Sequence, residues 1–305
     1  MLCRNESYLD PMEAIAFYIF YFLNWIFTLL PLRILYIFSD FLFLILYHFP
    51  GYRKDVVSAN LRNAFPYKTE AEREDIARKF YRHLADLFIE TLKLKHISLR
   101  EHNRRYIFEN TELLSRLYSE GKDVAAVMGH YNNWEVLNTM PLITDYTCIS
   151  IYRPMKNKHF DRFQNGIRSR YGMVLAPMSM VMREILNRRK NGERTLTVFI
   201  ADQTPAKTDI HFWTTFLNQD TPVFLGAEKI ASKYNMAVVF INIQKMKRGF
   251  YKARFELLFD SGAGLGENQI TEAHVKHLED IIKEKPEYWI WSHRRWKHKR
   301  EYPNV

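Results

Sequence analysis

The 305-residue chain has a formal net charge of +10, with 47% apolar and 15% aromatic residues, a length that allows one large domain or two small ones with ample core. Its two cysteines, Cys3 and Cys148, exclude a disulfide framework and a CxxC metal pattern, and fit a reducing compartment. Residues 1–50 carry Arg4 and Arg33 against Glu6, Asp10, Glu13 and Asp40, a net of −2, so the rest of the chain carries +12. That balance suits an anionic partner such as a membrane surface, a phosphorylated lipid, an acidic carrier protein or nucleic acid.

In chain order, a short polar lead is followed by the uncharged run Ala14 to Leu32, AIAFYIFYFLNWIFTLLPL. As a helix it is roughly 28 Å long, close to the hydrocarbon core of a bilayer. A second apolar run, Ile34 to Phe49, contains Asp40 and ends at Pro50-Gly51, and Pro31 is expected to kink or end the first helix. Because a mid-run acid is costly in hydrocarbon, the expectation is one membrane anchor followed by an interfacial helix, together residues 1–50. A pair of buried core helices is the alternative. Arg33, Arg53, Lys54 and Arg62 follow the anchor while only Arg4 precedes it, which predicts a cytoplasmic body spanning residues 51–305.

Residues 53–120 read as helical, with the capping-box start Thr69-Glu70-Ala71-Glu72 before a helix to about Leu94, then a shorter helix at Thr111 to Glu120. The apolar run Val124 to Met128 reads as a buried strand, broken by Gly129 and followed by His130-Tyr131-Asn132-Asn133-Trp134-Glu135. Within one regular helix His130 and Glu135 would point about 140° apart. With His130 in the strand-to-helix turn and Glu135 in the first helical turn, the carboxylate can fold back to the imidazole. Such a pair fixes the tautomer and leaves one ring nitrogen free to take a proton from a substrate hydroxyl. A core histidine beside a helix-capping acid fits the same spacing.

Thr147 to Tyr152 reads as the next strand, and residues 152–170 hold Arg153, Lys156, Lys158, Arg162, Arg168 and Arg170 against only Asp161. Further elements are a helix at Lys158 to Tyr171, a strand at Met173 to Ala176, a helix at Ser179 to Asn191 and the strand Thr195 to Ala201, with Asp202-Gln203 just past its end. Thr221 is expected to open a helix to Tyr234, followed by paired strands at Ala237 to Ile243 and Lys252 to Phe259, and a helix at Thr271 to Lys285. The alternation predicts an α/β fold, a central mostly parallel β-sheet flanked by helices, with ligands gathering at the carboxyl ends of the strands. His274 and His277 lie on a charged helix and read as surface residues, and no metal spacing, G-x-S-x-G elbow, P-loop or dinucleotide fingerprint is visible.

Five stretches together resemble one family, the late acyltransferases of lipid A biosynthesis within the wider lysophospholipid acyltransferase group. Gly129 to Glu135 resembles its H-x4-[DE] block; Tyr152-Arg153-Pro154 with Asn157, Asp202-Gln203, Phe224-x-Gly226 and Trp291-x-His293-x-Arg295-Trp296-Lys297 resemble the blocks that follow. Many members have Gly where this chain has Asn132. The resemblance implies a glycerolipid acyltransferase-like fold and transfer of a fatty acyl group from acyl carrier protein, or from acyl-CoA in some relatives, to a hydroxyl of a lipid A precursor at the bacterial inner membrane. His130 would be the general base and Glu135 its orienting partner. Asn133, Arg153, Arg170, Asp202 and Gln203 would bind substrate or shape the site, with Asp202 holding Arg153 in place. No cofactor or metal is expected, since a thioester is already activated and needs only a base and oxyanion donors. Other acceptors, a lysophospholipid or an aminoacyl lipid, fit the same chemistry. A different class of function, a membrane-tethered module binding RNA or anionic lipid through the Trp- and Arg-rich tail Pro286 to Arg300, is the remaining reading; nucleic acid is not the expected partner.

Overall fold

The computed structural model describes residues 11–49 and 52–300, so that Cys3, Arg4 and the Pro50-Gly51 stop lie outside the described residues. Helices α1 (Pro11–Leu29) and α2 (Leu32–His48) meet at an elbow beside Pro31, where the missing N–H and fixed φ end the first helix as expected. Among the described residues no helix is long and apolar enough to cross a membrane, which differs from the expected spanning anchor. The uncharged run is divided by the elbow, and α2 packs along the long helix α4 (Glu70–Leu94), which follows α3 (Lys54–Ala64). Asp40 pairs with Arg248 at 2.7 Å, which explains an acid in the middle of an apolar run. Ile19, Phe22, Leu29, Ile37 and Phe41 are exposed on the outer faces of α1 and α2.

Thr69 accepts from the Glu72 amide and Glu72 bonds back to the Thr69 amide at 2.7 Å, so α4 starts at the expected capping box. Next come α5 (Leu99–Arg105), the strand β1 (Tyr106–Glu109), which lies in a stretch expected to be wholly helical, and α6 (Thr111–Ser119). The α/β body then alternates: β2 (Val124–Met128), β3 (Thr147–Tyr152), α7 (Lys158–Arg168), β4 (Val174–Pro177), α8 (Val181–Lys190) and β5 (Thr195–Ile200). In a two-stranded antiparallel ribbon, β6 (Phe212–Phe216) and β7 (Gln219–Val223), the second strand takes up Thr221 to Val223, expected to start a helix, and α9 (Gly226–Tyr234) begins only after it. The chain continues with β8 (Ala237–Lys247), β9 (Phe250–Phe259) and α10 (Gln269–Glu284).

The seven-stranded sheet has the order β1-β9-β8-β2-β5-β3-β4. Strands β8, β2, β5, β3 and β4 are parallel, and β9 joins antiparallel to β8. Central strand β2 is buried along its whole length because helices cover both faces of the sheet. Ala125 and Val127 enter one apolar cluster, and Val124, Ala126 and Met128 the other. Trp289 and Trp291 are 1% and 0% exposed in the first of these clusters, so neither offers the ring face that nucleic-acid stacking needs.

Candidate active site

The site forms where β2 and β5, neighbours in the sheet, both end. Met128 is in register with Ile200, so the residues two places beyond, His130 and Asp202, emerge side by side. His130 Nδ1 lies 2.6 Å from Asp202 Oδ1, and the His130 backbone N–H donates to Asp202 Oδ2 at 2.8 Å. Trp289 Nε1 donates to the same Oδ2 at 2.9 Å. Burial by itself would raise the Asp202 pKa. The charge of the imidazole and the bonds from the ring, the backbone amide and Trp289 outweigh it and hold the carboxyl at about 2. An ionised Asp202 accepts from Nδ1–H, which leaves His130 Nε2 bare, 3.2 Å from the side-chain nitrogen of Gln203. Gln203 is exposed, so this ring nitrogen lies on the open side of the pair.

Glu135 does not pair with the imidazole. After Asn133 the chain turns into a 3-10 helix, Trp134–Leu142, and not the α-helix whose first turn was expected to bend the carboxylate back. Glu135 points instead to α7, where Arg168 donates Nε to Oε2 at 3.0 Å and Nη2 to Oε1 at 2.5 Å, and Gln164 donates to Oε1 at 3.0 Å. It reaches His130 only through Trp134, whose Nε1 donates to Glu135 at 3.2 Å and whose ring stands edge-on to the imidazole at 4.9 Å. Both partners of the Glu135–Arg168 bridge are largely buried, at 7% and 26% exposure. Glu135→Ala strands the guanidinium and is expected to cost about 3 kcal/mol of stability. Denaturant unfolding checks this, and Arg168→Ala should lower stability to a similar extent, with the double variant no worse than either single.

Two asparagines shape the loop between them. Asn132 has φ +56°, in the left-handed region where Gly and Asn are favoured, so its presence in place of Gly keeps the same turn. Its amide donates to the Ile243 carbonyl at 2.7 Å. Asn133, expected to bind substrate, is 1% exposed and donates to Glu90 Oε2 at 2.8 Å. Glu90 also accepts from Tyr36 of α2 and Tyr251 of β9, each at 2.9 Å, and burial raises its pKa. One carboxyl thus ties α2, the sheet and the catalytic loop together. Glu90→Leu leaves three donors without an acceptor and is expected to destabilise the fold by about 3 kcal/mol or more, read as a fall in the denaturation midpoint.

Arg153 is exposed past the end of β3 and has no partner among the described residues. It is not held by Asp202, whose oxygens are taken by His130 and Trp289. Arg170 is turned to the end of α4, donating to the Leu94 carbonyl at 2.9 Å, with its guanidinium over the Tyr171 ring. Three residues stand near the His–Asp pair without having been expected there. His293 Nε2 accepts from the Thr204 amide at 3.2 Å, and burial lowers its pKa to about 4. His274 is buried, not a surface residue as its charged helix suggested. Arg295 is 1% exposed and donates Nη2 to the Pro222 carbonyl at 2.7 Å; burial lowers its pKa to about 10 against the opposing pull of Asp202. Both line a void of only about 10 Å3 behind Asp202. No group of three or more metal-ligating side chains occurs among the described residues.

An imidazole ordered by a carboxylate through one ring nitrogen, with the other meeting only an exposed side-chain amide, set at the carboxyl ends of parallel strands, is an arrangement that could move a proton. The model of the bacterial lipid A biosynthesis acyltransferases matches residues 3–298, and the chain belongs to that family; it is an acyltransferase. No curated protein matches the chain.

Proposed function

We propose that the protein moves a fatty acyl group from an acyl carrier protein thioester to a hydroxyl of a lipid A precursor, with His130 as general base and Asp202 as its orienting partner. Nε2 takes the hydroxyl proton as the alkoxide attacks the thioester carbonyl. The tetrahedral intermediate then expels the thiolate, which receives the proton back from the imidazolium. Asp202 holds the tautomer and stabilises the transient imidazolium. The acceptor hydroxyl would take up the place of the Gln203 amide, and Arg153, a cation without a partner among the described residues, is suited to an acceptor phosphate or a developing oxyanion. Glu135 acts here by fixing Arg168, not by touching the base.

The observation that carries this reading is the 2.6 Å contact from His130 Nδ1 to Asp202, which leaves Nε2 as the one ring nitrogen available. The exposed apolar faces of α1 and α2 support attachment to the inner membrane from the cytoplasmic side, and the basic body suits an acidic carrier protein.

The test is transfer by purified protein, with labelled acyl carrier protein and CoA thioesters as donors and lipid A precursor, lysophospholipid and aminoacyl lipid as acceptors. Transfer from the carrier protein to the lipid A precursor is expected. Preferential acylation of a lysophospholipid or aminoacyl lipid would replace the acceptor, and no transfer by folded protein from any donor would overturn the mechanism.

A further inference from the structure

Away from the His–Asp pair, a cavity of about 590 Å3 opens between the α1–α2 elbow and α5. Its polar lining is Arg33, Lys93, Glu101, Arg104 and Arg105, four cations against one acid. That acid is already engaged: Glu101 accepts from Arg104 at 2.8 Å and from Arg105 at 2.6 Å. Lys93 reaches the carbonyls of Thr28 and Leu30 at the end of α1, and Arg33 has no partner among the described residues. Burial lowers the Lys93 pKa, with Glu101 opposing the shift and Arg105 adding to it. The first turn of α2 forms one wall, and its cap, Pro31, supplies no side-chain acceptor to the first amides of the helix.

The rim is apolar as well as basic. Ile34 is 41% exposed and lines the cavity; Leu29, Ile37 and Phe38 continue an exposed apolar surface along both helices. A soluble anion would use only the charges. An amphiphile with an anionic head uses both.

We propose that this cavity binds the phosphodiester headgroup of an anionic phospholipid, with its acyl chains lying along the exposed faces of α1 and α2. It would be a second lipid site, separate from the acceptor site, and it rests on the proposed attachment to the bilayer. Arg33 supplies the unpaired charge and Arg104, which shares Glu101 with Arg105, supplies the second cation; Lys93 ties the elbow to α4, and Arg105 ties α5 to the β8–β9 turn, donating to the Gly249 carbonyl at 3.3 Å.

The experiment is binding of the full chain to phosphatidylcholine vesicles with and without phosphatidylglycerol. Wild type is compared with Arg33→Gln/Arg104→Gln and with a control pair, Arg183→Gln/Lys190→Gln, on α8, which packs on β4 and β5. A cation near an anionic surface contributes about 1 kcal/mol, roughly fivefold, so the pocket pair should lose roughly 25-fold in affinity for the anionic vesicles. It should keep its affinity for neutral ones and its acyl transfer rate. An equal loss in the control pair would show diffuse charge and overturn the site. Wild type binding both vesicle types equally would also overturn it, whereas wild type ignoring both would overturn the bilayer attachment itself. Inorganic phosphate raising the Tm of wild type but not of the pocket variant, with vesicle preference unchanged, would replace the lipid by a free anion.

Discussion

Asp202→Asn is expected to lower kcat by about 10³-fold or more while leaving the protein folded. The amide has the shape of the carboxylate but offers a donor on one side. If it donates to His130 Nδ1, the ring proton moves to Nε2, the atom that must accept from the acceptor hydroxyl. The negative charge that stabilises the imidazolium is lost as well. Steady-state transfer kinetics check this, with circular dichroism as the control for folding, and a kcat within tenfold of wild type would sink the assignment. The same carboxyl makes a stability prediction with a definite sign. Its folded-state pKa lies at about 2, below the ordinary value for an aspartate, so its contribution is fully present above about pH 4 and is lost as the pH falls towards 2. A pH–rate limb above about pH 4 therefore does not report Asp202.

His130→Ala removes the proposed base, and a loss of about 10²–10⁴-fold in kcat is expected. The informative measurement is the double variant. If Asp202 acts through the imidazole, His130→Ala/Asp202→Asn should be no slower than His130→Ala, because the aspartate has nothing left to orient. Multiplying losses would mean that Asp202 works on the substrate directly. Since Asp202 also accepts from Trp289, a stability loss common to Asp202→Asn and the double variant is expected and does not bear on the kinetics.

The sequence showed the strands carrying the site clearly and their partnership poorly. Val124 to Met128 and the Thr195 run are continuous apolar segments bounded by polar residues, and a parallel sheet covered on both faces demands such runs. Which strand lies beside which is a non-local fact. Only the pairing of Met128 with Ile200 sets Asp202 against His130; from spacing alone, the nearby Glu135 was the evident partner. The expected return of Glu135 assumed an α-helical turn, and the 3-10 path after Asn133 removes that geometry. A signal was available in Asp202 itself, an acid standing just past a strand end as His130 does. For Arg295 and His274 no local pattern gives the answer, since a basic tail and a charged helix read as solvated until packing buries them. The β6–β7 ribbon was hidden by Pro222, a residue that suits the start of a helix and also sits in an isolated two-stranded pair.

The bond from Tyr36 to Glu90, and from Asn133 to the same carboxyl, bears on how this enzyme can be handled at the bench. Trimming the first two helices to obtain a more tractable protein would take away a hydroxyl that props the loop beside the base. A shortened form that turned over slowly would then be reporting a loosened turn, and protein that keeps both helices is the sounder preparation for kinetics.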